Sequence, residues 1–173
     1  QNQRSVSMRI NIELSQKSIQ SAIKQIENCR DKLIRKNREF VKRLGEVGIP
    51  VIDSNIAVAA GDSDKTHDAY IKINSFGDYA QATLIVSGKD LLFIEFGAGV
   101  HYNGAVGSSP HPLGASKGYT IGSYGKGNGS KDAWYYYADT GEIVKSQGTQ
   151  ATMPVYKAGV EMRQQMLKIA KEV

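Results

Sequence analysis

The chain has 173 residues, 40% of them hydrophobic, enough for one core and hardly two, so a single domain is expected. One cysteine, Cys29, excludes an internal disulfide, and a buried structural thiol in a reducing compartment is expected of it. No apolar run approaches the roughly 20 residues that cross a bilayer, and the first residues are polar instead of a basic segment leading into an apolar signal core, which is the pattern of a soluble chain with no membrane partner. The formal net charge is +5, but it is unevenly placed: Lys17, Lys24, Arg30, Lys32, Arg35, Lys36, Arg38, Lys42 and Arg43 face only Glu27, Asp31 and Glu39 in one segment.

In chain order, Val6, Met8, Ile10, Ile12 and Leu14 alternate with polar residues, which predicts a half-buried strand within an N-terminal arm, residues 1–14. Ser15 is a helix N-cap candidate, and Ile19, Ala22, Ile23, Ile26, Cys29, Leu33, Ile34, Phe40, Val41, Leu44 and Val47 then recur at three- and four-residue steps. This predicts one long amphipathic helix over 15–48, stopped by Gly48 and Pro50. Its length, on the order of 45 to 50 Å, exceeds what a compact domain of this size needs, so part of it is expected to project or to meet a neighbouring subunit.

A β region is predicted over 50–96. Asn55 to Ala60 are weakly strand-like, and Ala69–Asn74 and Tyr79–Ser87 form an antiparallel hairpin about Phe76-Gly77-Asp78. Asp62 to Thr66 read as a solvated loop, because the glycine and terminal glutamate of a calcium loop are missing. Leu91 to Phe96 suit a short helix. From Gly97 to Ser130 ten of 34 residues are glycine, too pliable a composition for a core of its own. A second hairpin is predicted over 131–147, with Trp134–Ala138 and Glu142–Lys145 flanking Asp139-Thr140-Gly141. After Met153-Pro154, the residues Val155, Gly159, Met162, Met166, Ile169, Ala170 and Val173 trace a closing helix over 154–173.

Reactive chemistry is mostly excluded by context. Gly114-Ala115-Ser116-Lys117-Gly118 has the letters of a nucleophile elbow without the strand and helix that make one, so a hydrolase built on Ser116 with His101 or His111 is a distant third possibility. His101 and His111, ten residues apart in an irregular segment, make a weak metal pattern even with Asp132 or Glu95 nearby. His67 stands beside Asp68 and is expected at the surface. Gly122 to Gly129 lack the serine or threonine and the helix start of a phosphate loop. Glu95 is the one carboxylate in an apolar run, and a cap or a bond to loop amides is its expected role. No catalytic residue, metal or cofactor is expected.

The order of pieces, with Phe93-Ile94-Glu95-Phe96-Gly97-Ala98-Gly99, the glycine-rich span, Trp134-Tyr135-Tyr136-Tyr137 before a turn, and Ala151 to Ala158 entering the last helix, resembles the minor tail-component family of long-tailed double-stranded DNA phages. These are tail-completion or head-to-tail joining proteins. Ala98 stands where the family often has threonine, and Met153-Pro154-Val155-Tyr156 replaces a more usual Pro-Phe order. The resemblance implies an α+β subunit, a small antiparallel sheet packed by the long and the terminal helices, that is not an enzyme. It also implies a homo-oligomeric ring, commonly sixfold, in the virion neck between the tail tube and the head connector, assembled in the bacterial cytoplasm.

On this basis Lys32, Arg35, Lys36 and Lys42 with His101, Tyr102, Tyr119 and Tyr124 are expected to contact subunits or partners. Phe93, Glu95, Phe96, Gly97, Gly99, Trp134, Tyr136, Met153 and Pro154 form the structural motif. The alternative is a small basic DNA-associated protein, using the lysines and arginines of the long helix on phosphates.

Overall fold

The structure is a computed structural model that describes residues 9–60, 67–99, 109–117, 134–146 and 148–173. It has an α+β arrangement of a long N-terminal helix, a two-stranded antiparallel sheet and a C-terminal helix. The elements are α1 (Gln16–Ala60), β1 (His67–Phe76), β2 (Tyr79–Gly88), α2 (Leu91–Phe96), β3 (Ala98–Gly99), a 3₁₀ turn (Ala115–Lys117), β4 (Trp134–Tyr137), β5 (Ile143–Ser146), β6 (Gly148–Thr149) and α3 (Pro154–Glu172).

α1 starts as Ser15 suggests, with the Ser18 amide donating to Ser15 Oγ at 3.2 Å. It does not stop at Gly48. It runs on to Ala60 with Pro50 inside it, so the region 50–60 expected to be β, Asn55 to Ala60 included, is helical. Burial overrides propensity here. Ile52 and Ile56, just beyond the proline, are 0% and 1% exposed and form the core with Ile94 and Ala158, and Val51, Ala59, Ala69, Leu84, Val86 and Leu91 pack around them. Gly48 is a point of close approach instead of a cap: a Cβ there would lie 2.5 Å from Leu84 Cδ2 and 3.2 Å from Met162 Sδ.

The proline remains a cost, since it removes one helical hydrogen bond and crowds the carbonyl of Glu46 four residues back, for about 3 kcal/mol. Its stiffening of the unfolded chain returns up to about 1 kcal/mol. Pro50→Ala is therefore expected to stabilise the fold by about 2 kcal/mol, read as a higher urea midpoint at unchanged slope. A lowered midpoint would mean that the helix does not run through residue 50 in solution.

β1 and β2 pair over their whole length, His67 opposite Gly88 to Phe76 opposite Tyr79. The two-residue connection has Gly77 first with φ 58°, the position where a type II′ turn requires positive φ. Ala69, Ile71 and Ile73 turn toward α1 while Asp68, Tyr70 and Lys72 face out. The hairpin packs on α1, and α3 packs antiparallel to α1, with Ala158 and Met162 at Gly48 and Glu172 at Arg43. β4 and β5 pair from Trp134 opposite Ser146 to Tyr137 opposite Ile143, closed by a turn with Gly141 at φ 82°.

Three smaller expectations change. Residues 9–14 form no strand: no partner strand pairs with them among the described residues, and Ile12 and Leu14 are exposed. Cys29 is half-buried on α1 instead of buried. His67 is not alone but meets Asp53 Oδ1 at 2.7 Å, tying the start of β1 to α1.

Candidate functional site

Three segments distant in sequence converge at the N-terminal end of α3. The first is α2, whose last turn is Glu95-Phe96 and which ends at Gly97 with φ 80°, ψ 158°, its amide donating to Phe93 O at 2.8 Å. That backbone region is essentially closed to side chains. Gly97→Ala is expected to cost about 1–3 kcal/mol, measurable as a fall in the urea midpoint. An unchanged midpoint would show that α2 does not end in this conformation.

The second is the entry to α3. Met153 takes the left-handed conformation, φ 54°, which a side chain adopts only where neighbours hold it. Ile94 does so: its carbonyl accepts the Thr152 amide at 2.9 Å and the Met153 amide at 3.4 Å. Pro154 follows at the first helical position, where its fixed φ suits a helix start and its missing N–H leaves nothing unpaired. The Thr152 hydroxyl is buried and has no hydrogen-bond partner among the described residues. A little beyond α2, β3 and β6 pair Ala98 with Thr149 and Gly99 with Gly148, fixing the two segments side by side.

The third is 109–117, an island within the glycine-rich span. Here the chain folds tightly: a Cβ on Gly114 would meet Ser109 Cβ at 2.4 Å. Ser109 Oγ donates to Phe96 O and accepts the His111 amide at 3.2 Å. His111, between Pro110 and Pro112, is buried, its ring 4.5 Å from the Phe96 ring and 5.2 Å from that of Tyr156.

Glu95 joins all three. Its carboxylate is buried, with Oε2 accepting the Val155 amide at 2.8 Å and Oε1 accepting the Tyr156 amide at 2.9 Å, so it caps the first turn of α3 from sixty residues away. The remaining first-turn amide, Lys157 N–H, is bonded to Met153 O at 2.9 Å. The third partner of the carboxylate is His111 Nε2, 3.1 Å from Oε1. Leu113 donates its amide to His111 Nδ1 at 3.0 Å, so Nδ1 is the acceptor and the ring proton sits on Nε2, directed at Glu95. Both ring nitrogens and both carboxylate oxygens are committed to partners. Ser116, exposed, donates to Leu113 O at 2.9 Å and shares no bond with His111, so the two do not form a nucleophile and base. Among the described residues no three potential ligands gather to hold a metal. The cluster is built to hold segments together.

The expected structural residues divide accordingly. Glu95, Phe96, Met153 and Pro154 meet at this cluster, Phe93 and Gly97 close the helix leading into it, and Gly99 lies on the strand beside it. Trp134 and Tyr136 stand on β4 across from Ser146 and Val144. His111, Ser109 and Tyr156 join the cluster although the sequence pattern assigns them no structural role. The signal for His111 is local: prolines on both sides stiffen one short stretch of a glycine-rich span.

The expected contact residues lie elsewhere. His101, Tyr102, Tyr119 and Tyr124 fall outside the described residues. Lys32, Arg35 and Lys36 line a groove of about 420 Å³ with Glu39, Arg43, Glu172 and Val173. Two of its cations are turned inward on the end of α3, Lys36 bonding the Val173 carbonyl and Arg43 pairing with Glu172. Lys42 faces Glu46 at 3.7 Å, one helical turn on. Lys89 bonds Asp139 at 2.9 Å between the end of β2 and the β4–β5 turn, and this hydrogen bond and the lysine charge hold the Asp139 carboxyl below its ordinary value. No protein-family model, curated protein or solved structure matches the chain.

Proposed function

We propose that this chain is a structural subunit of a phage or phage-like tail, forming a ring, sixfold as the family resemblance implies, at the head-tail junction, where it completes the tail or joins it to the head connector. It works by assembly and not by catalysis, and its place is the virion neck after assembly in the bacterial cytoplasm. The observation that carries this reading is the Glu95 carboxylate on the Val155 and Tyr156 amides. It ties Glu95-Phe96-Gly97 to the Met153-Pro154 helix entry, the two stretches on which the family resemblance is sharpest, so each gives the other a physical reason to be present.

Uncovered apolar side chains on separate elements add support. Phe76 and Tyr79 stack at 5.1 Å at the tip of the β1–β2 hairpin, both exposed. Tyr135, Tyr137 and Ile143 are exposed together on β4–β5, where Tyr137 and Ile143 are cross-strand partners. A closed ring needs two different surfaces on each subunit, and these are two. The DNA-associated alternative loses two of its cations, since Lys36 and Arg43 are engaged with α3. It predicts duplex binding that weakens steeply with salt.

The test is deletion of the gene from its parent element, with induced particles imaged by negative stain. Separate filled heads and tails, or tails of uncontrolled length, are expected. Intact particles of normal length would remove the tail reading.

A further inference from the structure

Among the described residues, the contacts of α3 with α1 reach as far as Lys36, short of the first half of the helix. At 100° per residue, Ile19, Ile23, Ile26 and Leu33 lie on the same side of the helix as Leu44, Gly48 and Val51, the side that meets Leu84, Ala158 and Met162 at Gly48. α3 ends at the level of Lys36, and beyond that point Ile19, Ile23, Ile26 and Leu33 are 43%, 52%, 55% and 62% exposed. Of the small residues at one edge of this stripe, Ala22 is buried and Cys29 half-buried. The spacing of Ile19, Ile23, Ile26, Arg30, Leu33 and Asn37 alternates four and three, a seven-residue repeat with polar side chains in two layers.

We propose that this stripe is the contact surface for α1 of a second copy of the chain, antiparallel, with Ile23 opposite the partner's Leu33, Ile26 opposite the partner's Arg30 and Ile19 opposite the partner's Asn37. Charge selects both the partner and the direction. In a parallel pair in register, Arg30 would meet the partner's Arg30 inside an apolar seam. In the antiparallel register Arg30 sits within one residue, about 1.5 Å along the axis, of the partner's Glu27, and twofold symmetry makes that pairing twice. The present partner of Arg30, Asp31 at 3.6 Å, is an exposed neighbour whose pairing contributes little and is readily exchanged.

Length agrees as well. Ile19 to Asn37 spans about 27 Å, and the partner's Ile19 arrives at the level of Lys36, where α3 ends on a neighbouring side of α1. The pairing does not rest on the tail reading. An isologous pair closes on itself and uses neither the hairpin tip nor the β4–β5 face, so it joins two subunits whether or not each also belongs to a ring.

The test uses the full chain in a Cys29→Ser background, with Ile23→Cys and Leu33→Cys made separately, oxidised alone and as a mixture. A disulfide is expected only in the mixture, because each position is about 15 Å from its own copy in the antiparallel pair, beyond the reach of a disulfide. The unmodified chain is expected to sediment with a paired mass that Ile26→Asp halves, at unchanged helical circular dichroism, since Ile26 is exposed in the single chain. Cross-linking of Ile23→Cys to itself would overturn the antiparallel register. A single-chain mass, or a ring that forms with no bond between positions 23 and 33, would overturn the pair, and the ring would leave the tail reading standing. The mixed disulfide together with intact particles after gene deletion would keep the pair and remove the tail reading.

Discussion

Replacing Glu95 with alanine is expected to destabilise the chain by about 3–5 kcal/mol, since each buried donor left without its acceptor costs about 1–3 kcal/mol. The substitution strands three donors at once, the amides of Val155 and Tyr156 and Nε2–H of His111. Two of them belong to the first turn of α3, so the helix start also loses the negative charge that suits its dipole. Glu95→Gln separates these contributions. It keeps the shape and one acceptor oxygen, but its amide group must point N–H at N–H, and a smaller loss of about 1–3 kcal/mol is expected. Urea unfolding of the two variants against the parent checks both. A cost under about 1 kcal/mol for Glu95→Ala would mean that the three segments hold together without the carboxylate, and the cluster would lose its standing as the organising contact.

The parts of this fold legible in the sequence are those decided locally. Gly77 and Gly141 sit where their turns need positive φ, and both hairpins follow from them with the expected strands. Pro154 marks the start of α3, and the apolar stripe after it is long enough to be read as a helix. Glu95 stands out as a lone carboxylate, which suggests a cap but not what it caps, because the amides it takes are sixty residues further on.

The two mistaken boundaries have the same cause in opposite directions. Alternation over Val6 to Leu14 is a strand pattern, yet a strand needs a partner ladder, and 9–14 have none among the described residues. Gly48 and Pro50 are helix-stop signals, yet the apolar residues on either side share one face, and burying that face is worth more than the proline costs. His111 is the clearest case of a role that only the fold assigns, since nothing in its immediate sequence points to a carboxylate sixteen residues earlier.

Ile52→Ala is expected to cost about 3–5 kcal/mol, the upper part of the range for an isoleucine truncated in a core. The cost depends on whether the site can collapse, and here it is braced on every side. Ile52 is fully buried among Ile56, Ile94 and Ala158, on a helix fixed against β2 and α3 by the contact at Gly48, where Leu84 and Met162 already crowd the backbone. Leu33→Ala on the same helix removes as much hydrocarbon from an exposed site and is expected to change the unfolding of the isolated chain by no more than about 0.5 kcal/mol. The contrast tests the helix boundary more sharply than either value alone. Were α1 to end before Pro50, Ile52 would sit in a flexible segment, its truncation would cost no more than that of Leu33, and Pro50→Ala would bring no gain. A large loss at Ile52 together with a gain at Pro50 is what a helix carried through its own proline by the packing beyond it must produce.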